Sequence, residues 1–195
     1  MGLTALGNHL PATITYEGLS DSEFDAICKE FPDSMVEYIP DSTLIIMPPT
    51  DPETGDRVNL IGFRLTAWAK KDGRGRVTGP DTGYRFRSGA RLSPDAALRD
   101  AKRWAEARQS GRKFPVFAPE FVIELRSPSD RLGTLRDKMQ EYMDNGVKLG
   151  WLIDPIKRQV EIYRPDRAPE VLLNPASVSG EGPVAGFVLD LSETL

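Results

Sequence analysis

Cysteine and histidine are almost absent from this chain of 195 residues: each occurs once, as Cys28 and His9. A single cysteine excludes an internal disulfide and any metal site built from several cysteines. We interpret the one histidine as an exposed residue of a loose N-terminal arm. The sequence therefore argues against serine–histidine or cysteine–histidine catalysis and against a histidine-rich zinc site. Any catalysis must use carboxylates, lysine, arginine or tyrosine, and any metal would be a hard, oxygen-bound ion such as Mg²⁺.

Long hydrophobic runs are also missing. No run approaches the roughly 18 apolar residues of a transmembrane helix, and MGLTALGNHL lacks the charged start and apolar centre of a signal peptide. The composition, 39% hydrophobic and 28% charged, is that of an ordinary globular protein. We therefore expect one cytoplasmic domain over residues 1–195, without a membrane partner, in which residues 1–19 form a loosely ordered arm.

The net charge of −4 hides an uneven distribution. Residues 57–113 contain 15 Lys and Arg against 5 Asp and Glu, whereas the rest of the chain contains 10 against 24. A basic segment within an acidic protein can form a phosphate-binding face. The alternative is a set of solvated helix faces that never converge. The candidates for phosphate contacts are Arg85, Arg87, Lys102 and Arg103.

Helical spacing of apolar residues, together with capping and stop residues, predicts helices over 21–31, 53–71 and 132–144. A short exposed helix is predicted over 101–109. Tyr142 lies on the apolar face of the 132–144 helix, and we interpret it as a core residue.

Strands are predicted from short apolar runs bounded by turn residues. They cover residues 35–40, 42–48, 76–79, 83–87, 95–100, 121–125, 148–154, 159–165, 170–173 and 186–190. The first two strands form a hairpin about Pro40-Asp41. The 148–154 and 159–165 strands form another about Asp154-Pro155. The last two are predicted to be edge strands. The apolar run FVIEL (121–125) is typical of a central strand. Together these elements predict a single mixed α/β domain.

Glu124 stands in the middle of that apolar strand, where an ionised and unpaired carboxylate is costly to bury. Side chains alternate along a strand, so Glu124 and Arg126 share one face. Asp95 begins an upstream strand. If the two strands are neighbours, the carboxylates would meet and repel each other unless a cation lies between them, which indicates a metal site. The alternative is a buried ion pair of Glu124 with Arg126 or Lys138, without a metal.

Pro94-Asp95, followed about thirty residues later by Glu124-Leu125-Arg126, resembles the PD-(D/E)xK pattern of nucleases. The surrounding sequence is more specific: FVIELRSPSDRLGTLRDKMQEYMDNGVKLGWLIDPIKRQVEIYRP resembles the Uma-two family of restriction-endonuclease-like proteins. That family typically shows an E-x-x-SPS strand exit, a K-M-x-E-Y helix, and GV…WLIDP before a short hairpin. The resemblance is dense over residues 93–165 and looser over 35–70, where VEYIPDSTLIIMPPT resembles the family's opening hairpin.

This resemblance implies a restriction-endonuclease-like fold, a mixed β-sheet flanked by helices with additional β-hairpins. It also implies that Asp95, Glu124 and the backbone carbonyl of Leu125 bind Mg²⁺ or Mn²⁺. Glu37 of VEY would complete the metal site or, alternatively, face solvent. The expected activity is hydrolysis of DNA, in particular double-stranded DNA, to a 5′-phosphate and a 3′-hydroxyl. Proteins of this class often act as homodimers.

Arg126 departs from the nuclease pattern, which has lysine two residues after the glutamate. Arginine can hold a phosphate, but it stays protonated and makes a poor base. Lys138, on the border of the apolar face of its helix, could point into the same cleft and contribute to catalysis; otherwise it is a surface lysine paired with Asp137 or Glu141. Three functions stay open: a metal-dependent endonuclease, a nuclease-like fold that binds nucleic acid without cutting it, and a protein-interaction module.

Overall fold

The computed structural model describes residues 10–40, 43–73 and 75–195, so His9 and Asp41 lie outside the described residues. The helices are α1 (Asp21–Glu30), α2 (Pro52–Asp72), α3 (Ala101–Arg108) and α4 (Leu132–Asp144). The strands are β1 (Ala12–Thr15), β2 (Met35–Ile39), β3 (Thr43–Met47), β4 (Gly75–Thr78), β5 (Tyr84–Arg85), β6 (Arg91–Leu92), β7 (Ala96–Asp100), β8 (Phe121–Leu125), β9 (Leu149–Asp154), β10 (Gln159–Tyr163), β11 (Glu170–Leu173), β12 (Ser177–Ser179) and β13 (Val188–Asp190). All four predicted helices are present, with ends that differ by one residue at most.

A six-stranded sheet forms the centre of the fold, in the order β11-β10-β9-β8-β7-β4. β8 and β9 run parallel, and the other neighbouring pairs are antiparallel. A parallel pair needs a long crossover connection, and α4 lies in the one between β8 and β9. Every residue of β8 is buried, which confirms its predicted central position. The predicted hairpin of β9 and β10 is also present.

A smaller sheet has the order β1-β3-β2-β6-β5. It contains the predicted hairpin of β2 and β3. β1 pairs with β3, with Ala12 opposite Ile46, although the sequence analysis placed this segment in a loose arm. Its four residues are too few to show a period, and its partner is far away in sequence, so local pattern could not reveal the strand.

Three helices begin with a side-chain cap, and in α3 the Asp100 carboxylate accepts from the backbone N–H of Arg103. In α1 the Oγ of Ser20 accepts from the backbone N–H of Glu23, and the Glu23 carboxylate accepts from the N–H of Ser20. In α2 the Asp51 carboxylate accepts from the N–H of Thr54. α2 ends at Gly73, whose φ of 79° is in the left-handed region that glycine adopts without strain.

The central sheet is covered on both faces. α2 packs Ile61 and Leu65 against the face that carries Ile123. α4 packs Met139 and Tyr142 against the opposite face. Because side chains alternate along β8, Ile123 points towards α2, whereas its neighbour Glu124 points towards α4. The core between α4 and the sheet therefore contains the unusual carboxylate.

The C-terminal strands differ in part from prediction. β11 lies at the edge of the central sheet, as predicted. β13 lies within the predicted edge strand 186–190 and pairs with β12 in a separate two-stranded sheet, in which both strands are edge strands. Phe187 and Leu189 belong to the core beneath α2, and an apolar run alone does not show which strand will pair with it. None of the described helices is both long and apolar enough to cross a membrane.

Candidate active site

Asp95 and Glu124 lie opposite each other on neighbouring strands. β7 and β8 pair antiparallel with Ala96 opposite Ile123, so Asp95, directly before β7, falls opposite Glu124. Opposite residues of an antiparallel pair point to the same face of the sheet. The backbone N–H of Leu125 donates to Asp95 Oδ2 at 2.7 Å and fixes that carboxylate beside the end of β8. The structure thus brings together the two acidic residues that the sequence singled out.

Lys138 of α4 reaches the same place. Its Nζ lies 3.0 Å from Glu124 Oε1 and 3.1 Å from Glu124 Oε2. It also lies 2.9 Å from Glu37 Oε1 and donates to the carbonyl of Ser93 at 3.2 Å. The residue is only 7% exposed, so the alternative of a surface lysine is wrong.

Glu37 enters the site from the small sheet. It is 2% exposed, which rules out the alternative of a solvent-facing residue. Its Oε1 accepts from the backbone N–H of Ser93 at 2.7 Å in addition to pairing with Lys138. The site therefore draws on both sheets: β2 supplies Glu37, and the segment between β6 and β7 supplies Ser93 and Asp95.

Tyr142 is a residue whose role the sequence analysis missed. It is fully buried, as a core residue should be, and its ring packs against Phe86 with the ring centroids 5.5 Å apart. Its hydroxyl nevertheless donates to Glu124 Oε1 at 2.8 Å. A signal was present in the sequence, because a residue four positions after Lys138 lies on the same face of the helix, one turn further on.

Burial controls the electrostatics of this cluster. Burial raises the pKa of Glu124 to about 8, with Asp95 and Glu37 adding to the rise and Lys138 opposing it. Burial also raises the pKa of Asp95 to about 6, against the opposing effects of the Leu125 N–H and Lys138. For Lys138 burial acts to lower the pKa, but Glu124 and Glu37 outweigh it and raise the pKa above its usual value. Lys138 is therefore an ammonium ion surrounded by carboxyl groups.

Arg126 has a different set of partners. Its Nη1 lies 3.0 Å from Oδ2 of the fully buried Asp154, and its Nε and Nη2 donate to the carbonyl of Asp130 at 3.3 Å. These bonds tie the exit of β8 to the end of β9. The structure favours Lys138 over Arg126 as the cation that acts on Glu124.

The four basic residues predicted to contact phosphates fall into two groups. Arg85 and Arg103 each form an ion pair with a carboxylate of this chain, so part of their charge is already compensated. Arg87 and Lys102 are exposed. The latter two are thus the better candidates for contacts with a phosphate backbone.

The donors at the site suit a hard divalent cation. Within residues 10–40, 43–73 and 75–195, no three acidic, histidine or cysteine side chains form a group that could hold a metal by themselves. Mg²⁺ is usually held by one or two carboxylates, with waters and substrate phosphates as its other ligands. Asp95 and Glu124, with the carbonyl of Leu125, are oxygen donors of this kind. Asp95 also keeps partial solvent exposure, whereas Glu124 is buried.

The site has two acidic residues facing each other at the ends of neighbouring strands and a lysine on the helix that follows. This arrangement is the one expected of a restriction-endonuclease-like protein. The sequence model of the Uma2 family, described as "putative restriction endonuclease", matches residues 21–192. The chain therefore belongs to the Uma2 family, which confirms the resemblance found in the sequence.

One solved structure confirms the predicted fold. The crystal structure of a "putative nuclease belonging to DUF820" from Anabaena variabilis matches with a TM-score of 0.67 and 22% sequence identity, covering 81% of this chain and 87% of that one. A cryo-electron-microscopy structure of a DrdV–DNA complex matches with a TM-score of 0.36 and 15% identity, over 57% of this chain and 9% of that one. None of the curated proteins matches this chain in sequence.

Proposed function

We propose that this protein is a metal-dependent endonuclease that hydrolyses DNA phosphodiester bonds at the cluster of Asp95, Glu124 and Lys138. The observation that carries the proposal is a cluster of three carboxyl groups around a single ammonium group. The carboxyl groups of Glu37, Asp95 and Glu124 interact with the ammonium of Lys138, which can compensate only one of them. Ionising all three carboxyl groups would leave two negative charges unmatched at a largely buried site, and a divalent cation would match them. The description of the family as restriction endonucleases supports the same conclusion.

Mg²⁺ or Mn²⁺ would be held by Asp95, Glu124 and the carbonyl of Leu125. When bound, such an ion lowers the pKa of water and stabilises negative charge on a phosphate oxygen. Glu37 Oε1 is already bonded to Lys138 and to the N–H of Ser93, so we assign Glu37 to fixing the lysine.

Lys138 would orient the phosphate or the attacking water. Its raised pKa keeps it protonated, so it acts as a hydrogen-bond donor and positive charge and does not accept a proton. Tyr142 holds Glu124 from the other side and limits the positions that its carboxylate can take. The rigid helix α4 carries both of these residues, one turn apart.

DNA is the proposed substrate because the segment 57–113 is strongly basic and presents Arg87 and Lys102 at the surface. A homodimer would place one active site against each strand of a duplex.

A second function, binding of nucleic acid without cleavage, is favoured by the same ion pairs. Lys138 lies about 3 Å from both Glu124 and Glu37, so the cluster already contains a cation that can hold it together. In that case the cluster would be structural and the basic surface alone would be functional.

A plasmid-nicking assay separates the two functions. Wild-type protein should nick supercoiled DNA in Mg²⁺ or Mn²⁺ and not in EDTA. Asp95→Asn should be slower by about 100-fold or more, because it removes a metal-binding carboxylate. Asp137→Asn is the matched control, since Asp137 is exposed one residue before Lys138 and should leave the rate unchanged. Melting temperatures of all variants establish that they are folded.

Titration calorimetry adds a measurement that is independent of activity. Mg²⁺ binding should be present in the wild type and Asp137→Asn, and lost in Asp95→Asn and Glu124→Gln. Salt-dependent DNA binding without nicking would reject the nuclease in favour of the non-cleaving function. Absence of DNA binding would reject both and leave a protein-interaction module. If Asp95→Asn nicked DNA at the wild-type rate, the site would be wrongly assigned.

A further inference from the structure

Phe114 is an exposed aromatic residue beside the candidate active site. Its side chain is 41% exposed, and the Nζ of its neighbour Lys113 lies over the ring, 5.2 Å from the centroid. A single exposed apolar residue needs no explanation in itself. Phe114 differs because the Lys113 ammonium lies over its ring and because the ring is beside the candidate active site.

Gly83 connects this ring to the active site. A Cβ placed on Gly83 would lie 3.8 Å from Phe114 Cε1 and 3.7 Å from Ser93 Oγ. The backbone of Ser93 in turn bonds to two residues of the site: its N–H donates to Glu37, and its carbonyl accepts from Lys138. Gly83 thus lies between the aromatic ring and the polar cluster. Because glycine has no side chain, no side chain of residue 83 separates the two.

The chain around Phe114 carries positive charge without acidic residues. Between Glu106 and Glu120 the sequence contains Arg108, Arg112 and Lys113 and no Asp or Glu. Such a loop suits a polyanion. An aromatic ring beside basic residues is the combination that binds single-stranded nucleic acid, because bases stack on the ring while the cations contact phosphates.

A second pair of this kind lies nearby. The guanidinium of Arg91 is placed over the ring of Phe24, 4.8 Å from its centroid. Arg91 also pairs with the Asp21 carboxylate and its side chain is only 11% exposed, so Lys113 is the better candidate for contact with a phosphate.

We propose that Phe114 is a stacking platform for an unpaired nucleobase of the DNA substrate, with Lys113 contacting the adjacent phosphate. This inference rests on the proposed function, because it concerns the same site. In a fully paired duplex the bases are stacked on one another and do not reach such a ring. The preferred substrate is therefore DNA with unpaired nucleotides at the cleavage position, such as a single strand or a flap.

Binding of fluorescein-labelled DNA tests the proposal without cleavage. Anisotropy is measured with a single strand and with the corresponding duplex, with Ca²⁺ in place of Mg²⁺. Phe114→Ala should weaken single-strand binding about tenfold, the effect of one lost stacking contact, and change duplex binding less. Phe114→Trp should restore it. Phe63→Ala is the matched control, since Phe63 is 68% exposed on α2 and should have no effect.

Salt dependence tests the role of Lys113. Lys113→Ala should reduce the slope of log affinity against log salt for the single strand by about 0.7, the value for one phosphate contact. Lys157→Ala, which changes an exposed lysine of the β9–β10 turn, should not.

The outcomes separate the two proposals. If wild-type protein binds the single strand and Phe114→Ala binds equally well, the stacking proposal is rejected while nicking by the wild type still supports the nuclease. Loss of binding in Phe114→Ala, with no wild-type cleavage of either the plasmid or the labelled single strand in Mg²⁺, supports the platform and rejects the nuclease. Tighter wild-type binding to duplex than to single strand, or no DNA binding at all, overturns the stacking proposal.

Discussion

Glu124 should make the metal-free protein less stable as the pH rises. Its pKa is raised from 4.5 to about 8, chiefly by burial, so the folded state binds this proton more tightly than the unfolded state does. The stability that the proton contributes is complete below about pH 4.5 and is lost as the pH rises towards 8. This direction is opposite to that of a carboxylate in an ordinary ion pair, which stabilises the protein as the pH rises above its pKa.

The size of the effect follows from the pKa change. At about 1.4 kcal/mol for each unit of pKa, an upper limit of about 5 kcal/mol applies. Relaxation around the ionised group reduces this limit, and we expect a loss of at least about 2 kcal/mol in the free energy of unfolding between pH 5 and 8.5. The loss is large compared with a total of about 5–15 kcal/mol for a typical domain.

Urea unfolding followed by tryptophan fluorescence, at several pH values in EDTA, measures this loss. Other groups titrate in the same range, so the informative quantity is the difference between wild type and Glu124→Gln. Glutamine keeps an oxygen that can accept from Tyr142 but does not titrate, so its free energy of unfolding should fall less steeply with pH. If both proteins lose stability in parallel, Glu124 does not titrate in this range and the reasoning is refuted.

A divalent cation should reverse the loss, because it binds the ionised carboxylates of the folded state. At pH 8.5, Mg²⁺ at about 100 times its dissociation constant should raise the free energy of unfolding of the wild type by about 2.7 kcal/mol. Glu124→Gln should gain little. An equal gain in both proteins would mean that the ion binds elsewhere.

Two further predictions concern packing around the site. Tyr142→Phe removes the 2.8 Å hydrogen bond to Glu124 and should cost about 1–2 kcal/mol of stability in urea unfolding; a cost near zero would show that the hydroxyl does not contribute. Leu65→Ala, in the fully buried face of α2, should cost about 2–5 kcal/mol. Phe63→Ala on the exposed face of the same helix should change stability by less than about 0.5 kcal/mol, and similar losses for both would contradict the packing described for α2.

The acidic pair could be predicted because it depends on local pattern. Alternation along FVIEL separates Glu124 from the apolar face, and Asp95 follows a proline at the start of a strand. The pattern does not contain the register of β7 against β8, which places the two residues opposite each other. That register depends on long-range pairing. The sequence could therefore predict that the two carboxylates meet only on the condition that their strands are neighbours.

Lys138 and Glu37 were predicted less well for the same reason. A lysine on the border of an apolar helix face is compatible with both burial and exposure. Its burial follows from the carboxylates that meet it, one from each sheet. The partner of Arg126 was missed because the end of β9, where Asp154 lies, becomes its neighbour only when β8 and β9 pair in parallel.

The short segment Ser93-Pro94-Asp95 joins β6 of the small sheet to β7 of the central sheet. One of its residues bonds to Glu37 and Lys138, and another faces Glu124. This segment is the covalent link between the two sheets and is also part of the candidate active site. A rotation of the small sheet against the central sheet would break the contact of Lys138 with Glu37, whereas Asp95 and Glu124, both held on the central sheet, would stay opposite each other. The ion pair of Lys138 with Glu37 therefore fixes the position of the small sheet against the central sheet as well as the position of the lysine.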